Sequence, residues 1–451
     1  MVYAFLKLLV KLATRIFFRR ITINNKLFIP KKGPLIVVAN HPNTFMDPVL
    51  IGSILSQQVY FLAKSTVFGS PFKDWILGNI FNMIPVYRKQ DLPTGAQNDN
   101  QAVFKKCFSF LARKGTLLIF PEGTSVLEKK LREIKTGTAR IALGAAKEND
   151  FELDVQILIV GINYSEGEKF RSDVTLNIDA PISIKDWEDA YKTNAHDAIN
   201  QLTNHIREKL ETQLVIIEHK AHERLLQQAA LIFKSELAET LDLPEKEKDF
   251  RIDKGITEAL KYFETADANL LQSLSSRLNA YFKKLDLLGI QDGLLKKSNL
   301  QTNIFTKSIL VILFLLGGLP IWLLGLITNY IPYKIPAQIA KIASKHIEYR
   351  APIMMISGMF TFGFYYTVMI SLTLIFTNNW LIVLGILLIA PLCGFFVLYY
   401  WNIVIETKNN LRLLAIINKE RQIIKDLIDE RKIIYSILKD AKEKYLGTLE
   451  S

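Results

Sequence analysis

Leu35-Ile36-Val37-Val38-Ala39-Asn40-His41-Pro42-Asn43-Thr44-Phe45-Met46-Asp47-Pro48 runs five apolar residues into a histidine, a turn and an aspartate. The apolar run reads as a buried strand. Pro42-Asn43 signals a turn and keeps His41 outside any helix that begins near Thr44. A second run, Thr116-Leu117-Leu118-Ile119-Phe120, ends at Pro121-Glu122-Gly123-Thr124-Ser125. Residues 155–163 read as a third strand and 174–178 as a fourth, with helical periodicity around 100–114 and 136–148. Alternating strands and helices predict an α/β domain whose mixed, mainly parallel sheet is flanked by helices. Both polar blocks then lie just past strand C-terminal ends, where open α/β sheets place ligands.

The residue types in these blocks suit proton transfer beside a bound anion. A histidine is the natural base near neutral pH. It works best when a carboxylate takes its other N–H, fixing the tautomer and stabilising the imidazolium. His41 and Asp47 are candidates for that pair. Six positions of regular helix would set the two side chains apart, whereas a turn followed by one helical turn brings Asp47 back to the imidazole. Gly123 lets the backbone approach a ligand. The N–H groups of its turn, with the Thr124 and Ser125 hydroxyls, suit a phosphate.

In this order and at this distance the two blocks resemble the glycerophospholipid acyltransferase family, over roughly residues 20–215. The common family pattern has four residues between His and Asp, whereas five stand here, Pro42 to Met46. That longer form is similar to the branch acting on glycerol 3-phosphate and dihydroxyacetone phosphate. The resemblance implies that His41 is the general base and Asp47 its orienter. It also implies that Glu122 binds the glycerol acceptor. Ile84-Pro85-Val86-Tyr87-Arg88 resembles another acceptor block, which makes Arg88 a phosphate clamp, since guanidinium bonds phosphate oxygens in pairs. Lys135, in Lys135-Thr136-Gly137-Thr138-Ala139-Arg140, is a candidate contact for phosphate or acyl carrier. Val160-Gly161-Ile162-Asn163-Tyr164 matches the last family block loosely and is expected to shape the acyl channel. No metal or other cofactor is implied; acyl-CoA or acyl-ACP serves as co-substrate.

Composition limits the other classes. Hydrophobic residues make up 49% of the 451 residues and charged ones 22%, which suits a folded soluble part joined to a hydrophobic part. The net charge of +12 favours anionic partners. Nucleic acid is set aside, because the charge is dispersed and no binding motif stands out. Cys107 and Cys393 are far apart and make neither a disulfide framework nor a metal site. No serine stands in a nucleophile-elbow context, which argues against a hydrolase.

The organisation expected is five-part: 1–20, 21–215, 216–300, 301–404 and 405–451. In the first part Lys7, Lys11, Arg15 and Arg19 recur every four residues among apolar neighbours, the pattern of an interfacial helix with a basic face. A helix capping a soluble core is the alternative. The second part is the acyltransferase domain, and the third reads as a charged helical accessory region. Ser308–Ile327, Ile353–Phe376 and Trp380–Trp401 are uncharged and long enough to span a bilayer. The positive-inside rule keeps the loop with Lys334, Lys341, Lys345 and Arg350, and the tail with Lys408, Arg412, Lys419 and Arg421, in the cytoplasm. The first segment then enters and returns on one side, with a hairpin at Gly317-Gly318-Leu319-Pro320; three plain spans are the alternative. The tail is expected to be a charged surface helix.

The function expected is a membrane-bound acyltransferase of phospholipid synthesis, its catalytic domain on the cytoplasmic face. It moves a fatty acyl group to glycerol 3-phosphate or 1-acylglycerol 3-phosphate. The partners are membrane lipids, the acyl donor and a phosphate-bearing glycerol acceptor. Alternatives are transfer to another lysophospholipid, or a catalytically inactive membrane scaffold.

Overall fold

The computed structural model describes residues 2–87, 100–295 and 302–450. The chain divides into two compact units, one of residues 1–216 with 339–356 and one of 217–338 with 357–451.

The first unit opens with helix α1 (Val2–Phe17) and strands β1 (Arg20–Asn24) and β2 (Leu35–Ala39). Then come α2 (Met46–Ile54), β3 (Val59–Lys64), α3 (Pro71–Trp75), β4 (Met83–Val86), α4 (Asn100–Ala112) and β5 (Thr116–Ile119). It continues through α5 (Gly137–Lys147), β6 (Gln156–Tyr164), β7 (Asp173–Ile178), β8 (Ile182–Ser183), α6 (Glu188–Thr193) and α7 (Ala195–Thr212). The strand order is β1-β7-β6-β2-β5-β3-β4, with β8 also on β6. β6 pairs antiparallel with β7 and β8, and every other pairing is parallel.

β2 lies at the centre of the sheet, and its side chains alternate between two cores. Ile36 and Val38 pack with Leu117, Ile119, Ile157 and Ile159 beneath α4, α5 and α7. Leu35, Val37 and Ala39 pack with Leu158, Val160 and Leu176 beneath α1 and α2. Ala351 and Met355 join this second core. The four expected strands form, within a residue or two of the expected bounds. β1, β3, β4 and β8 were not expected; β1 and β4 are the sheet's edges, and Pro85 is tolerated on such an edge.

α1 packs one side on the core and leaves apolar residues exposed on the other. Ala13, Thr14 and Phe17 are buried, whereas Phe5, Leu8, Leu12 and Ile16 are exposed along its outer side.

In the second unit α8 (Lys220–Thr240), α9 (Glu245–Ala266), α10 (Ala268–Leu288) and α11 (Asp292–Leu295) precede the membrane-type helices. These are α12 (Thr302–Ala343), α13 (Arg350–Thr377) and α14 (Trp380–Lys419), and α15 (Arg421–Glu450) ends the chain. α12 and α13 each have part of their length in the first unit. Stretches of 34, 31 and 40 residues are long and apolar enough to cross a membrane.

Two expectations are corrected here. The tail is not a plain surface helix: Ile424, Leu427, Ile434 and Leu438 of α15 are buried. Arg431 of α15 bonds the Asp292 carboxylate at 2.9 and 3.2 Å, and Tyr281 donates to the same aspartate at 2.6 Å. Nor is there a hairpin at Gly317–Pro320, because α12 stays helical through that stretch, Pro320 included. Gly318 instead makes room for Phe396 and Tyr400, the usual task of a small residue between membrane helices. Lys334 and Lys341 lie within that helix rather than in a loop.

The contacts of α12 run in an unexpected order. Leu315 accepts from Tyr400 and Pro336 lies against Gly358, both far from the Thr377–Asn379 turn. Between them Asn329 donates to Ala390 and accepts from Tyr366, both nearer that turn. α12 thus dips toward the turn at Asn329 and comes back.

Candidate active site

β2 and β5 are parallel neighbours, so the two polar blocks leave the sheet side by side. Asn40, just past β2, extends the ladder with its side chain: Nδ2 donates to the Ile162 carbonyl at 3.0 Å and Oδ1 accepts the Ile162 N–H at 2.7 Å. His41 follows, its side chain 19% exposed. Its Nδ1 lies 2.8 Å from Asp47 Oδ2. Asp47 sits in the first turn of α2, where the helix dipole favours a carboxylate.

The aspartate is fully buried and held by three groups. Oδ2 also accepts the Asn43 N–H at 2.7 Å, and Oδ1 accepts the Tyr164 hydroxyl at 2.7 Å. Burial first, then the charge and hydrogen bond of Asp47, push the Tyr164 phenol well above its ordinary value. It therefore remains a donor. With Nδ1 turned to Asp47, Nε2 is the nitrogen left to take a proton from a ligand.

The five residues between His41 and Asp47 fit because Thr44 takes a left-handed backbone, φ +38°. A β-branched residue there is strained. It is held by Ser125 Oγ, which accepts its N–H at 2.8 Å, and by its own hydroxyl, which donates to the Glu348 carbonyl at 2.9 Å.

Glu122 braces the loop from beneath. Oε1 accepts the His41 N–H at 3.0 Å and Oε2 accepts the Arg132 N–H at 3.1 Å. Burial raises its carboxyl from the ordinary value, and those two bonds hold it back only in part. Both oxygens thus already serve the backbone. Gly123 adopts φ +67°, a turn that its missing Cβ permits, and its N–H donates to the Phe120 carbonyl at 3.1 Å.

Thr124 and Gly123 are exposed, whereas Ser125 faces the His41 loop. The Lys135 N–H donates to the Pro121 carbonyl at 2.8 Å, but its exposed ammonium pairs with Glu133 at 3.3 Å. Arg88 lies outside the described residues. His41, Asp47, Glu122 and Ser125 therefore come together around one loop, with Gly123 and Thr124 on its outer rim.

Sequence reasoning missed Asn40, Phe120 and the bond from Tyr164 to Asp47. One signal for Tyr164 was available. It falls on the same parity of β6 as Leu158, Val160 and Ile162, the side that α2 covers. Among the described residues no three His, Cys, Asp or Glu side chains converge as metal ligands would.

Residues 20–165 match the family model described as Acyltransferase. The chain is 23% identical over 316 residues to glycerol-3-phosphate O-acyltransferase 1 of Saccharomyces cerevisiae, covering 51% of this chain and 41% of that protein. It is 34% identical over 113 residues to glycerol-3-phosphate O-acyltransferase 2 of the same yeast, covering 25% and 15%. Thus the chain spans less than half the length of these curated relatives. Among solved structures it is similar to the 1-acyl-sn-glycerophosphate acyltransferase PlsC from Thermotoga maritima, with 20% identity, a TM-score of 0.33, and 46% of this chain and 78% of that one covered.

Proposed function

We propose that this protein, whose residues 20–165 match the acyltransferase family model, moves a fatty acyl group from a thioester to a glycerol phosphate in phospholipid synthesis. The observation that carries the reading is the His41–Asp47 pair, with Asp47 buried and Nε2 free to act. The acceptor hydroxyl gives its proton to Nε2 while its oxygen attacks the thioester carbonyl. Asp47, held by Asn43 and Tyr164, stabilises the imidazolium that forms. The tetrahedral intermediate collapses, the C–S bond breaks, and the imidazolium returns the proton to the departing thiolate. No enzyme nucleophile is needed, since the acceptor oxygen attacks directly.

Glycerol 3-phosphate is the first choice of acceptor, supported by the names of the yeast relatives and by the longer His–Asp spacing. The partly lysophosphatidate-like alternative, 1-acylglycerol 3-phosphate, would use the same dyad. Gly123, Thr124 and Lys135, all exposed, are the candidate phosphate contacts, and Arg88 is the further candidate clamp. Acyl-CoA or acyl carrier protein supplies the acyl group. The Lys and Arg residues around the membrane helices favour a catalytic domain on the cytoplasmic face, and the return of α12 agrees with that topology.

The test offers labelled glycerol 3-phosphate and 1-acylglycerol 3-phosphate to the purified full chain with each thioester donor. Transfer to one acceptor, falling about 100- to 10,000-fold in His41→Ala, is the expected result. Wild-type-like turnover in that variant, or no transfer with any pair, removes the reading.

A further inference from the structure

A hollow lies away from the dyad, at the opposite end of α2. It measures about 600 Å³ and is walled by α1, the link between β1 and β2, and the last turn of α2. Lys7, Lys11, Lys26 and Lys31 line it, and no acidic residue does. Lys7 is committed to the wall: its ammonium donates to the carbonyls of Leu55 at 2.5 Å, Ser56 at 3.1 Å and Gln57 at 3.3 Å. It thereby closes the C-terminal end of α2, where a cation is favoured. Burial and then the Lys11 charge lower the Lys7 ammonium from its ordinary value. Lys11, Lys26 and Lys31 are exposed and have no carboxylate partner among the described residues.

The rim of this hollow is apolar. Leu8 on its wall is 65% exposed and Leu27, beside Lys26, is 99% exposed. Phe5, Leu12 and Phe28 are also exposed nearby in the chain. A basic hollow with an apolar rim carries two surfaces of opposite preference, and each needs a different part of one ligand. A free phosphate would meet the lysines and leave the rim in water. An acidic phospholipid in a bilayer satisfies both, its headgroup among the ammonium groups and its neighbours' acyl region around Leu8 and Leu27.

We propose that the hollow bounded by Lys11, Lys26 and Lys31 binds the headgroup of an acidic membrane phospholipid, separately from the acyltransferase site. Its function is to set the first unit on an anionic leaflet. The inference does not rest on the catalytic reading, and its test needs no turnover.

Leu27→Cys in the full chain, labelled with an environment-sensitive dye, is reconstituted in phosphatidylcholine bilayers with rising phosphatidylglycerol. Emission should shift to the blue as the acidic lipid increases. In K11E/K26E/K31E the acidic-lipid content at half-shift should rise beyond the accessible range, an effect of about 100-fold for three lysines. The control K105E/K106E/K147E, at exposed sites on α4 and α5, lowers the net charge equally and should keep the wild-type response. Inorganic phosphate added to neutral bilayers should give no shift. The same emission in neutral and acidic bilayers, an equal loss in the control, or a full response to phosphate alone would each overturn the proposal.

Discussion

The imidazole of His41 lies flat on the ring of Phe120, with centroids 3.9 Å apart and planes 11° from parallel. Phe120 is the last residue before the Pro121 turn, so β5 and β2 meet ring to ring at the site. The stack leaves the imidazole its edge for chemistry and bars water from one face. Phe120→Ala should free the ring to rotate and lower kcat about tenfold, with little change in acceptor KM. Steady-state kinetics checks this; an unchanged kcat would leave the stack without a catalytic part.

Tyr164 acts through Asp47. In Tyr164→Phe the buried carboxylate loses one of its donors, a bond to a charged group worth about 1.5–3 kcal/mol. We expect kcat to fall about tenfold while KM for the acceptor stays within twofold. A rise in KM alone would assign Tyr164 to substrate binding instead.

Glu122 separates two roles cleanly. Glu122→Ala strips the acceptor from the N–H groups of His41 and Arg132, so the unfolding temperature should drop along with kcat, at a cost of about 2–4 kcal/mol. Glu122→Gln keeps one acceptor oxygen and should be intermediate in both. If instead KM for the acceptor rises and thermal stability stays at the wild-type level, the carboxylate is an acceptor ligand rather than a brace.

Asp173 ties the end of α1 to the sheet through Arg19 at 2.7 Å and Arg20 at 3.1 Å. Burial works against its ionisation, but the Arg19 bond and the two arginine charges outweigh that, and its carboxyl lies below the ordinary value. A lowered carboxyl stabilises the fold above the unfolded-state value and loses that effect as pH falls through the folded one. Asp173→Asn should therefore lower stability by about 0.5–1 kcal/mol near pH 7, the discount reflecting exposed arginines. The gap should close as pH falls below the ordinary carboxyl range. A gap independent of pH, in thermal melts across that range, would contradict this account.

What the sequence disclosed follows from burial. β2, β5 and β6 are near-continuous apolar runs because the sheet is covered on both faces, whereas β7 alternates Val174, Leu176 and Ile178 with polar residues; both patterns are visible in one dimension. β3 and β4 are mostly half-buried, and β1 is exposed at Arg20; all three mix Thr, Tyr, Pro or Lys with their apolar residues and owe their pairing to partners elsewhere in the chain. The order of strands, and the reversal of β7, depend on those non-local pairings. The dyad was legible because its members are neighbours in one motif. Tyr164 is 117 positions from the aspartate it holds, and Glu122 is 81 from the histidine it supports. In α12 the glycines looked like a break because sequence shows the missing side chain and hides the aromatic rings that fill its place.

Asn40 gives the site an unusual foundation. Its amide mimics a peptide group and adds one more rung between the central strand and β6, directly ahead of His41. The His41 loop has thus been fastened to the fully buried centre of the sheet. Warming would not loosen this site by degrees; the His41 loop would keep its place until the sheet itself comes apart.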